Sequence, residues 1–141
     1  MILLDTNVLS ALMHERPDPR VVQWLNDQPP DSVWTTSITV FEVAFGLATM
    51  ADGRRKAAIE DAFQSVLRDD LQNRIAAFDS PAAREAARLA AERQRAGRPV
   101  DFRDMEIAGI AISRRATLAT RNLKHFRGLS IPVLDPWSGL A

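Results

Sequence analysis

The 141-residue sequence contains no cysteine. Neither a disulfide framework nor a thiolate metal site can form, and such a chain suits a reducing cytoplasm. Net charge is also missing, because 18 basic residues are matched by 18 acidic ones. Bulk electrostatic attraction to nucleic acid is thereby excluded, and any polyanion must be held by a local basic patch or by bound cations. No apolar run approaches the ~20 residues that cross a bilayer. The start of the chain has no basic residue ahead of its first acid, Asp5, which is unlike a secretion signal. What is present is ordinary for a globular protein, with 46% hydrophobic and 26% charged residues. The expectation is a single cytoplasmic domain over residues 1–141 with no membrane contact.

Short apolar runs alternate with longer helical patterns, the signature of βα units and of an α/β fold with a parallel sheet. Ile2, Leu3 and Leu4 run without polar alternation, as in a strand buried on both faces. The run stops at Asp5, and Thr6 and Asn7 lead into a helical pattern at Val8, Leu9 and Leu12. After a turn at 16–19 comes a short helix with Val21, Val22, Trp24 and Leu25, ended by Pro29-Pro30. Residues 32–36 read as the second strand. A strongly apolar helix follows over 38–50, with Ile38, Phe41, Phe45 and Ala48 on one side, widened by Val40, Ala44 and Leu47. Its one acid, Glu42, shares a narrow polar strip with Gly46 and Thr49.

Asp52-Gly53 breaks the chain before a helix over 54–71, whose buried stripe is Ile59, Ala62, Phe63, Val66 and Leu67. The third strand falls at 74–78. Ser80 then serves as N-cap and Pro81 as the first residue of an alanine-rich helix that Gly97 stops. Asp101 caps a further helix with Ile107, Ala108, Ala111 and Ile112 on its apolar side, which leaves Asp104 in the first turn. Strands at 116–119 and 131–134 complete the pattern.

Each acid has a plain structural explanation: Asp5 as a helix cap, Asp104 as a complement to a helix dipole. Their arrangement suggests more. Asp5 ends strand one, Glu42 follows strand two, Asp104 opens the helix that leads to strand four, and Asn122 leaves that strand. If strands two and four flank strand one, these positions converge on the crevice where open α/β sheets bind ligands. Converging carboxylates resist ionisation unless a cation offsets them, and an all-oxygen set suits Mg²⁺ or Mn²⁺. His14 and His125 lack zinc-ligand spacing and read as ordinary surface or loop histidines.

The stretches Leu3-Leu4-Asp5-Thr6-Asn7, Ser37-Ile38-Thr39-Val40-Phe41-Glu42, Asp104-Met105-Glu106-Ile107-Ala108 and Leu118-Ala119-Thr120-Arg121-Asn122 together resemble a PIN domain. The closer likeness is to the VapC toxins of bacterial toxin–antitoxin pairs, including the FitB-like branch. The resemblance implies a three-layer α/β/α domain with a short central parallel sheet, and a Mg²⁺-dependent endoribonuclease in which Mn²⁺ can substitute. It implies Asp5, Glu42 and Asp104 as catalytic and metal-holding acids, with Thr6, Asn7, Ser37 and Asn122 in support. It implies an RNA substrate, a VapB-like antitoxin and a homodimer, for which the apolar helix over 38–50 is the candidate contact. The chain departs from the pattern where many relatives carry a fourth acid, since Asn122 and the His125-Phe126 pair are neutral here.

Two readings from other classes remain open at this level. A non-catalytic α/β module that binds RNA or protein would use the acids as caps and ion pairs. A phosphohydrolase with Asp5 as nucleophile would want a second acid where Asn7 stands.

Overall fold

The computed structural model describes residues 1–138, so the last three residues of the expected 1–141 domain lie outside the described residues. In chain order it contains β1 (Ile2–Leu4), α1 (Thr6–Leu12), α2 (Pro19–Asn26), β2 (Val33–Thr36), α3 (Ser37–Ala48) and α4 (Arg54–Ser65). Then follow β3 (Ile75–Ala76), α5 (Ser80–Arg95), α6 (Phe102–Ser113), β4 (Thr117–Ala119) and β5 (Val133–Leu134).

β1 is the central strand of a fully parallel five-stranded sheet of order β3-β2-β1-β4-β5. Its unbroken apolar run has the predicted cause, for successive side chains enter cores on opposite faces. Leu4 packs with Val8, Leu9, Val21, Val43, Leu47, Phe63 and Leu71 on the side of α1 to α4. Leu3 packs with Ala82, Ala86, Leu89, Met105 and Ile110 on the side of α5 and α6. The three-layer α/β/α arrangement follows from that alternation.

Four local expectations are corrected. The helix begun at Arg54 does not run regularly to Leu71. It widens after Ser65 into a π turn in which Leu71 N–H reaches the Val66 carbonyl at 3.0 Å, and this carries Leu71 into the core. The α5 N-cap is Asp79 and not Ser80. The Asp79 carboxylate accepts from Ala82 N–H at 3.1 Å, which places Ser80 and Pro81 inside the first turn. The inner face of α3 is Thr39, Val43 and Leu47, while Phe41 and Phe45 stand 53% and 52% exposed. A buried Thr39 is tolerated because its hydroxyl accepts from the Thr36 hydroxyl at 3.2 Å, and Val43 and Leu47, four and eight residues further on, share its face. The strand over 74–78 is paired only at Ile75 and Ala76.

The tightest packing is between α5 and α6. A Cβ on Gly109 would run into the Ala82 carbonyl oxygen and lie 2.8 Å from the Ala86 nitrogen. In an open helix Gly→Ala stabilises by about 1 kcal/mol. Here Gly109→Ala should instead destabilise by about 1–3 kcal/mol through overpacking, lowering the thermal midpoint by several degrees. A denaturation curve decides the sign.

Candidate active site

The register of the sheet puts Leu4 beside Ala119, so the next residues, Asp5 and Thr120, emerge together at the carboxyl edge. The Asp5 N–H still pairs with the Ala119 carbonyl at 2.9 Å. Its side chain then takes three neutral donors. Oδ1 accepts from Thr6 N–H at 2.8 Å, and Oδ2 accepts from the Thr120 hydroxyl at 2.7 Å and the Asn7 amide at 3.1 Å. Asp5 is therefore the cap of α1 and a fixed carboxylate at the crevice at once. It is 4% exposed, and burial holds its carboxyl above the usual range despite the hydrogen bonds from Thr120, Thr6 and Asn7. Asn7 also accepts from Arg121 N–H at 2.9 Å, tying α1 to the segment after β4.

Glu42 lies on the second turn of α3 and faces α1. Its Oε1 accepts from the Thr6 hydroxyl at 3.0 Å, and Thr6 Oγ1 is 3.3 Å from Thr39 Oγ1. The Arg103 guanidinium is 3.9 Å from its other oxygen. Burial raises the Glu42 carboxyl, the Thr6 bond opposes that, and the negative charge of Asp5 adds to the rise. Asp104 is in the first turn of α6, where Asp101 Oδ1 accepts its N–H at 3.1 Å. Its carboxyl is pushed up to about 6 by burial, then by Asp101 and Asp5, against the pull of His125, whose Nδ1 lies 3.1 Å from Asp104 Oδ2.

The three predicted acids are thus brought into one electrostatic field. Thr6 and Asn7 bond two of them directly. Ser37 and Asn122 do not: the Ser37 hydroxyl accepts from Phe78 N–H at 3.0 Å, and Asn122 uses its backbone N–H to reach Thr120 Oγ1 at 3.0 Å. Three partners of the acids were missed by sequence reasoning: Thr120, His125 and Arg103. Thr120 was findable as the polar residue just past the second central strand, the mirror of Asp5. His125, read from the sequence as an ordinary surface or loop histidine, is exposed and bonds Asp104.

Carboxyl groups that raise one another's pKa are short of positive charge, and Asp5 accepts only from neutral donors among the described residues. Such an oxygen set fits a hard divalent cation. Among the described residues no three acidic or histidine side chains already enclose a common point.

The raised Asp104 carboxyl has a consequence for stability. Between about pH 4 and about pH 6 the unfolded chain loses this proton before the folded chain does, so stability falls as pH rises and stays lowered above that window. Asp104→Asn removes the penalty. In metal-free buffer the variant should melt above wild type at about pH 7.5 and lose that advantage by about pH 4. Equal shifts at both pH values would contradict this account.

The chain matches the PIN domain family over residues 2–130. It is 33% identical over 137 residues to the VapC ribonuclease Y4jK of Sinorhizobium fredii, covering 97% of this chain and 98% of that protein. It is 32% identical to the toxin FitB of Neisseria gonorrhoeae, covering 97% and 99% respectively. The crystal structure of FitAcB from Neisseria gonorrhoeae aligns with a TM-score of 0.85 at 32% identity, covering 97% of this chain and 99% of that one. A carboxylate crevice at the edge of a parallel sheet, matched along nearly the whole chain, makes this a member of the PIN-domain family, in the branch of the VapC ribonucleases and the FitB toxin.

Proposed function

We propose that this VapC-type toxin ribonuclease is a Mg²⁺-dependent endoribonuclease that cuts RNA in the cytoplasm, as the toxin of a type II toxin–antitoxin pair. The observation that carries metal dependence is the buried negative charge of Asp5, which adds to burial in raising the carboxyls of both Glu42 and Asp104. Those three acids would hold the ion, directly or through water. When bound, it supplies a water of lowered pKa and polarises the phosphodiester. The chain's own work is orientation. Thr120 and Asn7 fix the Asp5 carboxylate, Thr6 fixes Glu42, and His125 fixes Asp104 at Oδ2.

A site short of positive charge also attracts a guanidinium, which supports control by an antitoxin that inserts a basic side chain. Beside Glu42 opens an apolar cavity of about 350 Å³ between α1, α3 and α4, lined by Met13, Val43, Leu47, Met50 and Ile59. An apolar antitoxin segment fits there. For the homodimer the support is on the outer face of α3. Phe41 and Phe45 stack with centroids 6.0 Å apart and carry the Arg103 guanidinium over both rings, half-exposed to water.

Thermal stability with Mn²⁺ tests the metal site without a substrate. For a dissociation constant of ~1 mM, ~10 mM metal adds about 1.4 kcal/mol, a few degrees in midpoint. Wild type should gain those degrees and Asp5→Asn should not. If both respond alike, the acids are structural and the non-catalytic module is the better description. Thr120→Val should keep the fold and weaken metal binding or cleavage by about 10- to 100-fold, as loss of a ligand-orienting partner does. The double variant Phe41→Glu, Phe45→Glu should elute as a monomer in size-exclusion chromatography with light scattering. A dimer retained at the same concentration would remove α3 from the interface.

A further inference from the structure

A chain with no net charge holds a polyanion through a local basic patch or bound cations, and a basic patch lies beside Asp104. A pocket of about 300 Å³ is lined by Asp101, Asp104 and His125 together with Arg93, Arg98 and Lys124. It is built by the end of α5. Gly97, at φ +70°, lets Gly97 N–H bond the Gln94 carbonyl at 3.1 Å and Arg98 N–H bond the Arg93 carbonyl at 2.9 Å. This closure folds Arg98 back over the turn that carries Arg93. Burial, and then the like charge of Arg98, pull the Arg93 guanidinium down from its ordinary value.

The negative charge of Asp104 offsets this in part. Among the described residues no carboxylate forms an ion pair with Arg93, Arg98 or Lys124. On the same helix as Arg93, Arg88 is paired. Arg88 takes both Glu85 and Glu92, at 2.7 and 2.9 Å, so Glu92 is occupied although it lines the adjoining cavity. That second cavity, about 230 Å³, shares Arg93 and Arg98 with the first and adds Arg127, so the cationic wall runs on away from the acids.

We infer that Arg93, Arg98 and Lys124 bind the phosphodiester backbone of single-stranded RNA next to the scissile bond, and that the strand continues past Arg127. The inference rests on the ribonuclease reading above and adds the direction in which the substrate lies. Contacts to phosphate position a strand without reading its sequence. The cluster therefore contributes affinity, and selection of the cut site lies elsewhere on the surface.

The test is a titration of a fluorescein-labelled single-stranded RNA by anisotropy, in chelator and at several salt concentrations, with the antitoxin-free full chain. Each lost phosphate contact on a single strand lowers the slope of log K against log salt by about 0.7. Arg98→Ala with Lys124→Ala should reduce the slope by about 1.4. It should also raise KM for cleavage in Mn²⁺ with kcat kept, while Arg98→Lys restores binding. Both positions are exposed, and a wild-type melting midpoint shows that the fold is intact. Arg68→Ala, on an exposed residue paired with Asp69, is the control. If wild type binds and cleaves RNA but the double variant keeps the full slope, the inference falls and the nuclease reading stands. If wild type neither binds nor cleaves RNA, both fall. If the double variant loses antitoxin and keeps RNA, the cluster is a protein contact and the inference is overturned.

Discussion

The buried Asp5 carboxylate is the constraint on which the rest of the structure turns. A carboxylate at 4% exposure is tolerated only where its oxygens are satisfied, and the donors that satisfy it come from two places far apart in sequence. Thr6 and Asn7 arrive from the helix that Asp5 itself caps, and Thr120 arrives from the end of the neighbouring strand. The parallel pairing of β1 with β4 is what lets these groups meet. A slip of one residue in that register would turn Thr120 away and leave the carboxylate short of a partner.

Around this point the molecule maintains a conflict. Asp5, Glu42, Asp101 and Asp104 share a field that adds to burial in raising the carboxyls of Glu42 and Asp104, the latter to about 6. The packed helix pair α5 and α6 supplies the rigidity that keeps them there. Gly109 lets the two backbones approach closely, and the first turn of α6 then carries Asp101 and Asp104 to the sheet edge. The same helix pair ends in the Gly97 turn that sets the arginines beside them. Opposite charges are thereby held side by side around one pocket.

Much of this was legible from residue order. Ile2, Leu3 and Leu4 announced a central strand because no polar residue interrupts them, and both cores accept their side chains as that pattern requires. The acids were legible from their places, with Asp5 at the end of an apolar run, Glu42 as the one acid of an apolar helix and Asp104 in the first turn of a capped helix. The inner face of α3 was not, because Phe41 and Phe45 are more apolar than Thr39, and hydrophobicity alone ranks them as core. The Thr36 hydroxyl satisfies the buried Thr39 hydroxyl at 3.2 Å, a local interaction that counting apolar positions does not weigh. Asp79 was passed over as a cap because Ser80-Pro81 offers the more familiar pattern, although the side chain that reaches Ala82 N–H belongs to Asp79.

The sequence by itself determined the alternation of strands and helices, the absence of thiolate chemistry and the three acids at the strand and helix ends, because these follow from local periodicity and composition. Only the tertiary structure decided that Thr120 bonds Asp5, that His125 bonds Asp104 and that Arg93, Arg98 and Lys124 face the same crevice. Those pairings join residues separated by up to 115 positions, and nothing local encodes them. They arise when a parallel sheet sets the ends of distant strands side by side, and hydrogen bonds and charges then act across that short distance.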